Sequence, residues 1–250
     1  MAYRRLCLTL SKRYSILFIG ETNMQVISLS ALCPQSGKDT LADFIETIEG
    51  INVRRIAFGD ALRDEIISHF NTTGATFYPS DVKQMLLRPA KDVEHEAFSI
   101  NKLRISPYRD FMKAYVKWSP EEITKPRSLR YHLQRYGNDF TKDHMKYKLR
   151  WVDEVQLKLD DWKSRGQVDL VVVTDTRAPE EFEMLKKEFD ASTFLIRREG
   201  FPVSEHEVKR VPHPIEEYAK NFKYDWELTN VYGDKSHMQA DFMNIMNNYM

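Results

Sequence analysis

Cysteine is almost absent from this chain: there are two in 250 residues, Cys7 and Cys33. Their spacing matches no metal-ligand pattern, and two thiols cannot build a disulfide-stapled scaffold. Free thiols in a reducing cytoplasm are the expectation. Apolar runs are also short. None approaches the roughly 20 residues needed to span a bilayer, so no membrane partner is expected. A surplus of one charge is missing as well, because Lys+Arg and Asp+Glu number 37 each. That removes the global basic character of a nucleic-acid or anionic-membrane binder, and any phosphate binding must come from local clusters. Residues 1–13 are basic, yet the short apolar stretch Tyr14–Gly20 lacks the small-residue cleavage site of a secretion signal. No internal repeat or low-complexity tract is present. What remains is 42% hydrophobic and 30% charged, the composition of a soluble globular protein large enough for one large or two small domains.

The pattern from Met24 onward alternates strand with helix. Val26-Ile27-Ser28-Leu29-Ser30 reads as a strand and Leu41–Ile45 as part of a helix. A second strand is expected at Val53–Phe58 and a helix at Asp60–Phe70, with Leu62, Ile66 and Phe70 on one face. Residues 71–126 hold five prolines among many charges and read as short helices and loops outside the sheet. Ser128 is a candidate N-cap for a helix carrying Leu129, Leu133 and Tyr136. The stripe Met145, Leu149, Val152, Val155, Leu159 and Trp162 predicts a helix over 143–162, ended by Gly166. Leu170–Val173 is too short for a helix and suits a central parallel strand covered on both faces. A helix at Glu180–Phe189, strands at Thr193–Ile196 and Trp226–Thr229, and a closing helix at His237–Tyr249 complete the pattern. Strands separated by helices specify a parallel α/β sheet.

Four constellations could carry chemistry. The first is Ser36-Gly37-Lys38-Asp39-Thr40, placed where a strand turns into a helix. Backbone N–H groups and the positive helix end face an anion there, Lys38 neutralises it, and the Thr40 hydroxyl can reach Mg²⁺. The full pattern G-x-x-x-x-G-K-[ST] is not met: Leu32 stands at the first Gly, and Asp39 separates Lys38 from Thr40. The second is Thr174-Asp175-Thr176-Arg177 at the end of the buried strand, where parallel sheets bind ligands. Asp175 can hold Mg²⁺ and Arg177 can grip phosphate; equally, Asp175 could cap the next helix and Arg177 pair with Glu180 or Glu181. The third sets Arg130 and Gln134 one helical turn apart, with Trp151 on the next helix. These residue types suit a monoester phosphate, a base edge and a stacked base, although Arg130 and Gln134 could be a solvated face and Trp151 core. The fourth is Arg197-Arg198 followed by a charged stretch, which suits a lid as well as it suits a solvated loop.

Segments Leu29–Phe44 (LSALCPQSGKDTLADF), Arg130–Asp139 (RYHLQRYGND), Trp151-Val152, Val172–Arg177 (VVTDTR), Leu195–Gly200 (LIRREG) and, more weakly, Leu228–Asn230 resemble the bacteriophage-type deoxynucleoside monophosphate kinases, a branch of the phosphate-loop nucleotide kinases. The resemblance spans Met24 to the C-terminus, with 71–126 unmatched. It implies a three-layer α/β kinase with a parallel sheet of about five strands, helices on both faces, a helical acceptor-binding insertion at 71–126 and a small lid at 197–212. Ser36, Gly37, Lys38, Asp39, Thr40 and Arg197 would bind ATP, and Thr40 and Asp175 would bind Mg²⁺. Lys38, Asp175 and Arg177 would serve the transfer, and Arg63, Arg130, Gln134 and Trp151 the deoxynucleoside monophosphate. The implied location is the cytoplasm, the host's if the protein is viral, with small-molecule substrates and a homodimer admitted. Leu32 in place of Gly departs from the family pattern. A kinase of the dephospho-coenzyme A or phosphomevalonate type, and a non-catalytic nucleotide-binding module, stand as alternatives. Residues 1–23 are expected to lie outside the fold, with an edge strand at Ser15–Gly20 as the competing reading.

Overall fold

The computed structural model describes residues 24–33, 36–70, 94–201 and 218–249. Residues 1–23, the 71–93 portion of the insertion and the 202–212 portion of the expected lid lie outside these described residues. Two compact units emerge: Met1–Phe58 with Val155–Met250, and Gly59–Glu154.

The first unit is an α/β sheet domain. Strands β1 (Gln25–Ala31), β2 (Val53–Ala57), β3 (Leu170–Thr174), β4 (Ser192–Glu199) and β5 (Trp226–Val231) form one sheet in the order β2-β3-β1-β4-β5. All four pairings are parallel. Every residue of β3 is buried, as its unbroken apolar run requires of a strand covered on both faces. Each fully buried Val or Leu contributes about 1.5–3 kcal/mol, so this strand is a main source of the unit's stability. Helices α1 (Lys38–Ile45) and α8 (Lys235–Tyr249) supply Leu41, Ile45, Met238 and Phe242 to a core with Ile27, Leu29, Val172, Phe194 and Leu228. The alternate strand positions Val26, Val171, Val173 and Leu195 are buried as well. Two buried faces make the arrangement three-layered, as expected from the sequence. Helix α7 (Pro179–Phe189) links β3 to β4.

The second unit is helical. It is wider than the 71–126 stretch, since it takes in most of α2 (Phe58–Phe70) and the start of α6 (Arg150–Arg165). Its other elements are α3 (Pro107–Tyr115), α4 (Pro120–Thr124), α5 (Leu129–Gln134) and short 3₁₀ turns at Glu96–Phe98 and Ile100–Lys102. Ser106, Ser119 and Ser128 cap α3, α4 and α5, each accepting a backbone N–H from the residue three positions on. Ile66, Phe70, Phe98, Tyr108, Met112, Leu129, Tyr136, Phe140 and Trp151 form its core. His132 is sealed inside. Its Nε2 lies 2.7 Å from the Phe98 carbonyl, which can only accept, so Nε2 carries the proton and Nδ1 accepts from the Tyr108 hydroxyl at 2.9 Å.

One expected element is corrected. The helix read at 143–162 begins at Arg150, and Arg135–His144 is a π-helical segment instead. Its wider turn is closed by the Met145 N–H bonded to the Phe140 carbonyl at 2.8 Å. The wider spacing lets Tyr136, Phe140 and His144 stack in turn, with ring centroids 5.5 and 5.7 Å apart. Lys146 then turns the chain at φ 60°. Met145 and Leu149 are therefore exposed, whereas Val152, Val155 and Leu159 are buried as expected.

Candidate functional site

The site begins at the carboxyl end of β1. Gly37 sits at φ 96°, a left-handed conformation that side chains resist, and its carbonyl accepts the Leu41 N–H at 2.9 Å to start α1. No side chain caps α1, so its first-turn N–H groups have no side-chain acceptor. Ser36, just before the glycine, is buried, and its carbonyl accepts from Asn230 Nδ2 of β5 at 2.9 Å.

Lys38, the first residue of α1, forms an ion pair with Asp175. Asp175 follows the last residue of β3 and adopts φ 73°, a left-handed position that Asp tolerates better than most residues. Arg177 Nη2 contacts the same carboxylate at 3.0 Å. Burial raises the Asp175 carboxyl, but Arg177 and Lys38 outweigh it and hold the group down at about 2. The carboxylate is thus ionised throughout the neutral range. Asp175 does not cap α7. That role falls to Glu181, whose carboxylate accepts the Arg177 and Ala178 N–H groups at 2.8 and 3.0 Å.

What fastens this turn to β1 is a pair of strand serines. Ser28 Oγ and Thr176 Oγ1 are 2.8 Å apart, and Ser30 Oγ donates to the Thr176 carbonyl at 3.0 Å, both buried. The two serines lie two residues apart and so share one face of the strand. Together they place Asp175 and Arg177 on the β1 side of β3, where Lys38 meets them. The result is two cations and one carboxylate beside a bare helix N-terminus, an arrangement suited to binding a polyanion with its metal ion.

The chain matches no protein-family model and no curated protein.

The site's residues fit Mg²⁺ in one particular way. No group of three His, Cys, Asp or Glu side chains that could hold a metal exists among the described residues. Thr40 offers a hydroxyl and Asp175 a carboxylate kept ionised, a sparse donor set. That is how Mg²⁺ usually binds to enzymes of phosphate compounds, with substrate oxygens and water filling the remaining positions.

Other expected residues are placed differently. Asp39 and Asp43 are both engaged by Arg55 of β2, with Arg55 Nη1 2.8 Å from Asp43. Arg55 thereby offsets the Asp39 charge in the first turn of α1. Arg197 lies within β4 and not after it, and its guanidinium contacts Glu227 of β5 at 2.7 and 3.0 Å. This corrects the lid reading for 197–199, which are strand residues; Arg198 lies over the Phe201 ring at 4.6 Å.

In the helical unit Arg130 and Gln134 are both exposed on α5, one turn apart as expected. Arg63 of α2 pairs with Asp60 at 2.5 Å. Trp151 takes the core one of its two readings: only 6% exposed, it tilts against Tyr136, and its Nε1 finds no hydrogen-bond partner among the described residues. Nearby, Glu65 accepts from Arg150 at 2.5 Å and from the Tyr136 hydroxyl at 3.0 Å. Sequence reasoning assigned no role to Ser28, Ser30, Thr176, Asn230 or Arg55. The signal for the serines was available: two hydroxyls at period two within an otherwise apolar buried strand.

Proposed function

We propose that this protein is an ATP-dependent kinase that transfers the γ-phosphoryl group to a deoxynucleoside monophosphate, giving ADP and the deoxynucleoside diphosphate. The observation that carries the reading is Asp175 held by Lys38 and Arg177 beside the Gly37 turn. Phosphoryl transfer asks little covalent chemistry of a protein; it asks for positioning and for cations around the moving charge. In this reading the α1 N-terminus and Lys38 receive the ATP phosphates, and Arg177 offsets charge on the transferred group. Thr40 and Asp175 hold Mg²⁺, which when bound neutralises phosphate oxygens. No general base is needed, because the acceptor is already an ionised phosphate. The sequence resemblance supports the choice of acceptor, with Arg130, Gln134 and Arg63 as its ligands.

The test is ADP release from MgATP with a panel of acceptors: the four common deoxynucleoside monophosphates, dephospho-coenzyme A and phosphomevalonate. Release dependent on a deoxynucleoside monophosphate is the expected result. Release with another acceptor reassigns the substrate. Tight MgATP binding without release for any acceptor points to a nucleotide-binding module.

A further inference from the structure

Asn230 stands near the end of the edge strand β5 and pairs in register with Arg198, not with any residue of β1. Its side chain nevertheless reaches the phosphate loop. It is 5% exposed, and Nδ2 donates to the Ser36 carbonyl at 2.9 Å. It also fills the space beside Gly37: a Cβ there would lie 2.3 Å from Asn230 Nδ2 and 2.9 Å from its Cγ. Asn230 Oδ1 and Ser36 Oγ are both buried without a hydrogen-bond partner among the described residues. Leaving two such atoms unpaired costs free energy, and native structures tolerate that mainly where a site demands it.

From these contacts we infer that Asn230 is the positioning residue of the phosphate loop, fixing the Ser36–Gly37 peptide so that the α1 N-terminus is presented to ATP. The inference rests on the donor-site reading of the proposed function. The carboxamide does two things at once. Its donor fixes the Ser36 carbonyl, which sets the peptide plane entering Gly37. Its bulk occupies the place of a side chain at residue 37, so only glycine fits, and glycine alone readily holds φ 96°. The Gly37 carbonyl is then free to open α1, and the following N–H groups stay available for an anion. Asn230 touches no reacting atom in this scheme. It acts through the loop.

The experiment uses the full chain and four variants: Asn230→Ala, Asn230→Asp, Gly37→Ala and the double variant Gly37→Ala/Asn230→Ala. In the nucleotide-free protein, amide hydrogen exchange at Leu41, whose N–H bonds the Gly37 carbonyl, is expected to quicken about tenfold or more in Asn230→Ala, with β1 and β3 amides unchanged. MgATP Kd should rise about tenfold in Asn230→Ala, the equivalent of one lost hydrogen bond, and further in Asn230→Asp through its added charge, while the monophosphate KM stays put. Asn230→Asp preserves shape and removes the donor; its new charge would by itself repel ATP, so its readout is the nucleotide-free exchange at Leu41, which a merely space-filling role would leave near wild type. The double variant should bind MgATP better than Gly37→Ala alone, since the collision at 2.3 Å is gone. Unchanged exchange and affinity in Asn230→Ala and Asn230→Asp would overturn the inference while leaving the donor site standing. Absence of MgATP binding to the wild-type chain would instead overturn the donor site and, with it, the purpose of the Asn230 contact; the exchange measurement needs no nucleotide and still reports whether Asn230 holds the loop. Loss of folding in all Asn230 variants would also overturn it, by making the residue part of the core.

Discussion

At the residue scale the chemistry converges on Asp175, which faces Lys38 and Arg177 together. Removing either cation leaves the carboxylate with the other, so neither deletion strands an unpaired buried charge. Lys38→Ala is accordingly expected to fold normally and to lose turnover by about two orders of magnitude or more, read by steady-state kinetics alongside a melting curve. Near-normal turnover in the folded variant would refute the phosphate-loop assignment. Arg177→Ala should lower kcat mainly, because its charge matters most as the phosphoryl group moves. Arg130→Ala should raise the monophosphate KM mainly; an unchanged KM would remove Arg130 from the acceptor site. Thr176→Val keeps the shape and deletes the hydroxyl facing Ser28, leaving that serine without a partner it has in the wild type. The expected cost is about 1–3 kcal/mol by denaturant titration. A drop in kcat should accompany it, as the Asp175–Arg177 turn loosens from β1.

At the element scale the sheet was legible almost strand for strand. Apolar runs of four to six residues bounded by helices are the direct imprint of strands buried on both faces. Ser128 was legible too, since an N-cap acts on the N–H groups of its own next turn; Ser128→Ala is expected to cost about 1 kcal/mol in a melting experiment. That Lys38 meets Asp175 and Arg177 was legible because each follows the carboxyl end of a strand, a position fixed by local pattern. The fastenings were not. Ser28 lies 148 residues from Thr176 and Ser36 lies 194 from Asn230, distances over which no local periodicity speaks. The start of α6 was misjudged for a different reason. A stripe spaced by three and four assumes α-helical pitch, and the π-helical segment Arg135–His144 breaks that phase before Arg150. Arg197 was read as a loop residue because β4 was expected to end at Ile196, whereas it continues to Glu199.

At the scale of the whole molecule, pH should act unequally on the two units. Burial holds His132 in the helical unit down at about 4, from an ordinary 6.5. The fold therefore favours the neutral ring, and below pH 6.5 the unfolded chain takes up the proton first. Stability contributed by neutral His132 is present above pH 6.5 and is lost as pH falls from 6.5 towards 4, a loss of about 3 kcal/mol. Asp175 of the sheet unit, held at about 2 against an ordinary 3.8, contributes stability above pH 3.8 and loses it only as pH falls further towards 2. Hydrogen exchange at pH 7 and pH 4.5 should find Gly59–Glu154 weakened first; equal weakening of both units would contradict this account. The strand order has a separate consequence, for synthesis. β1 and β2 do not touch; each waits for β3, with Gln25 and Val53 both in register with Leu170. A growing chain thus carries two unpaired strands through the translation of more than a hundred residues, and Gly59–Glu154 leaves the ribosome in that interval with all of its own core residues present. The helical unit is the part that can fold first during translation, and the Ser36–Gly37 turn gains its Asn230 contact only after β5 has been made.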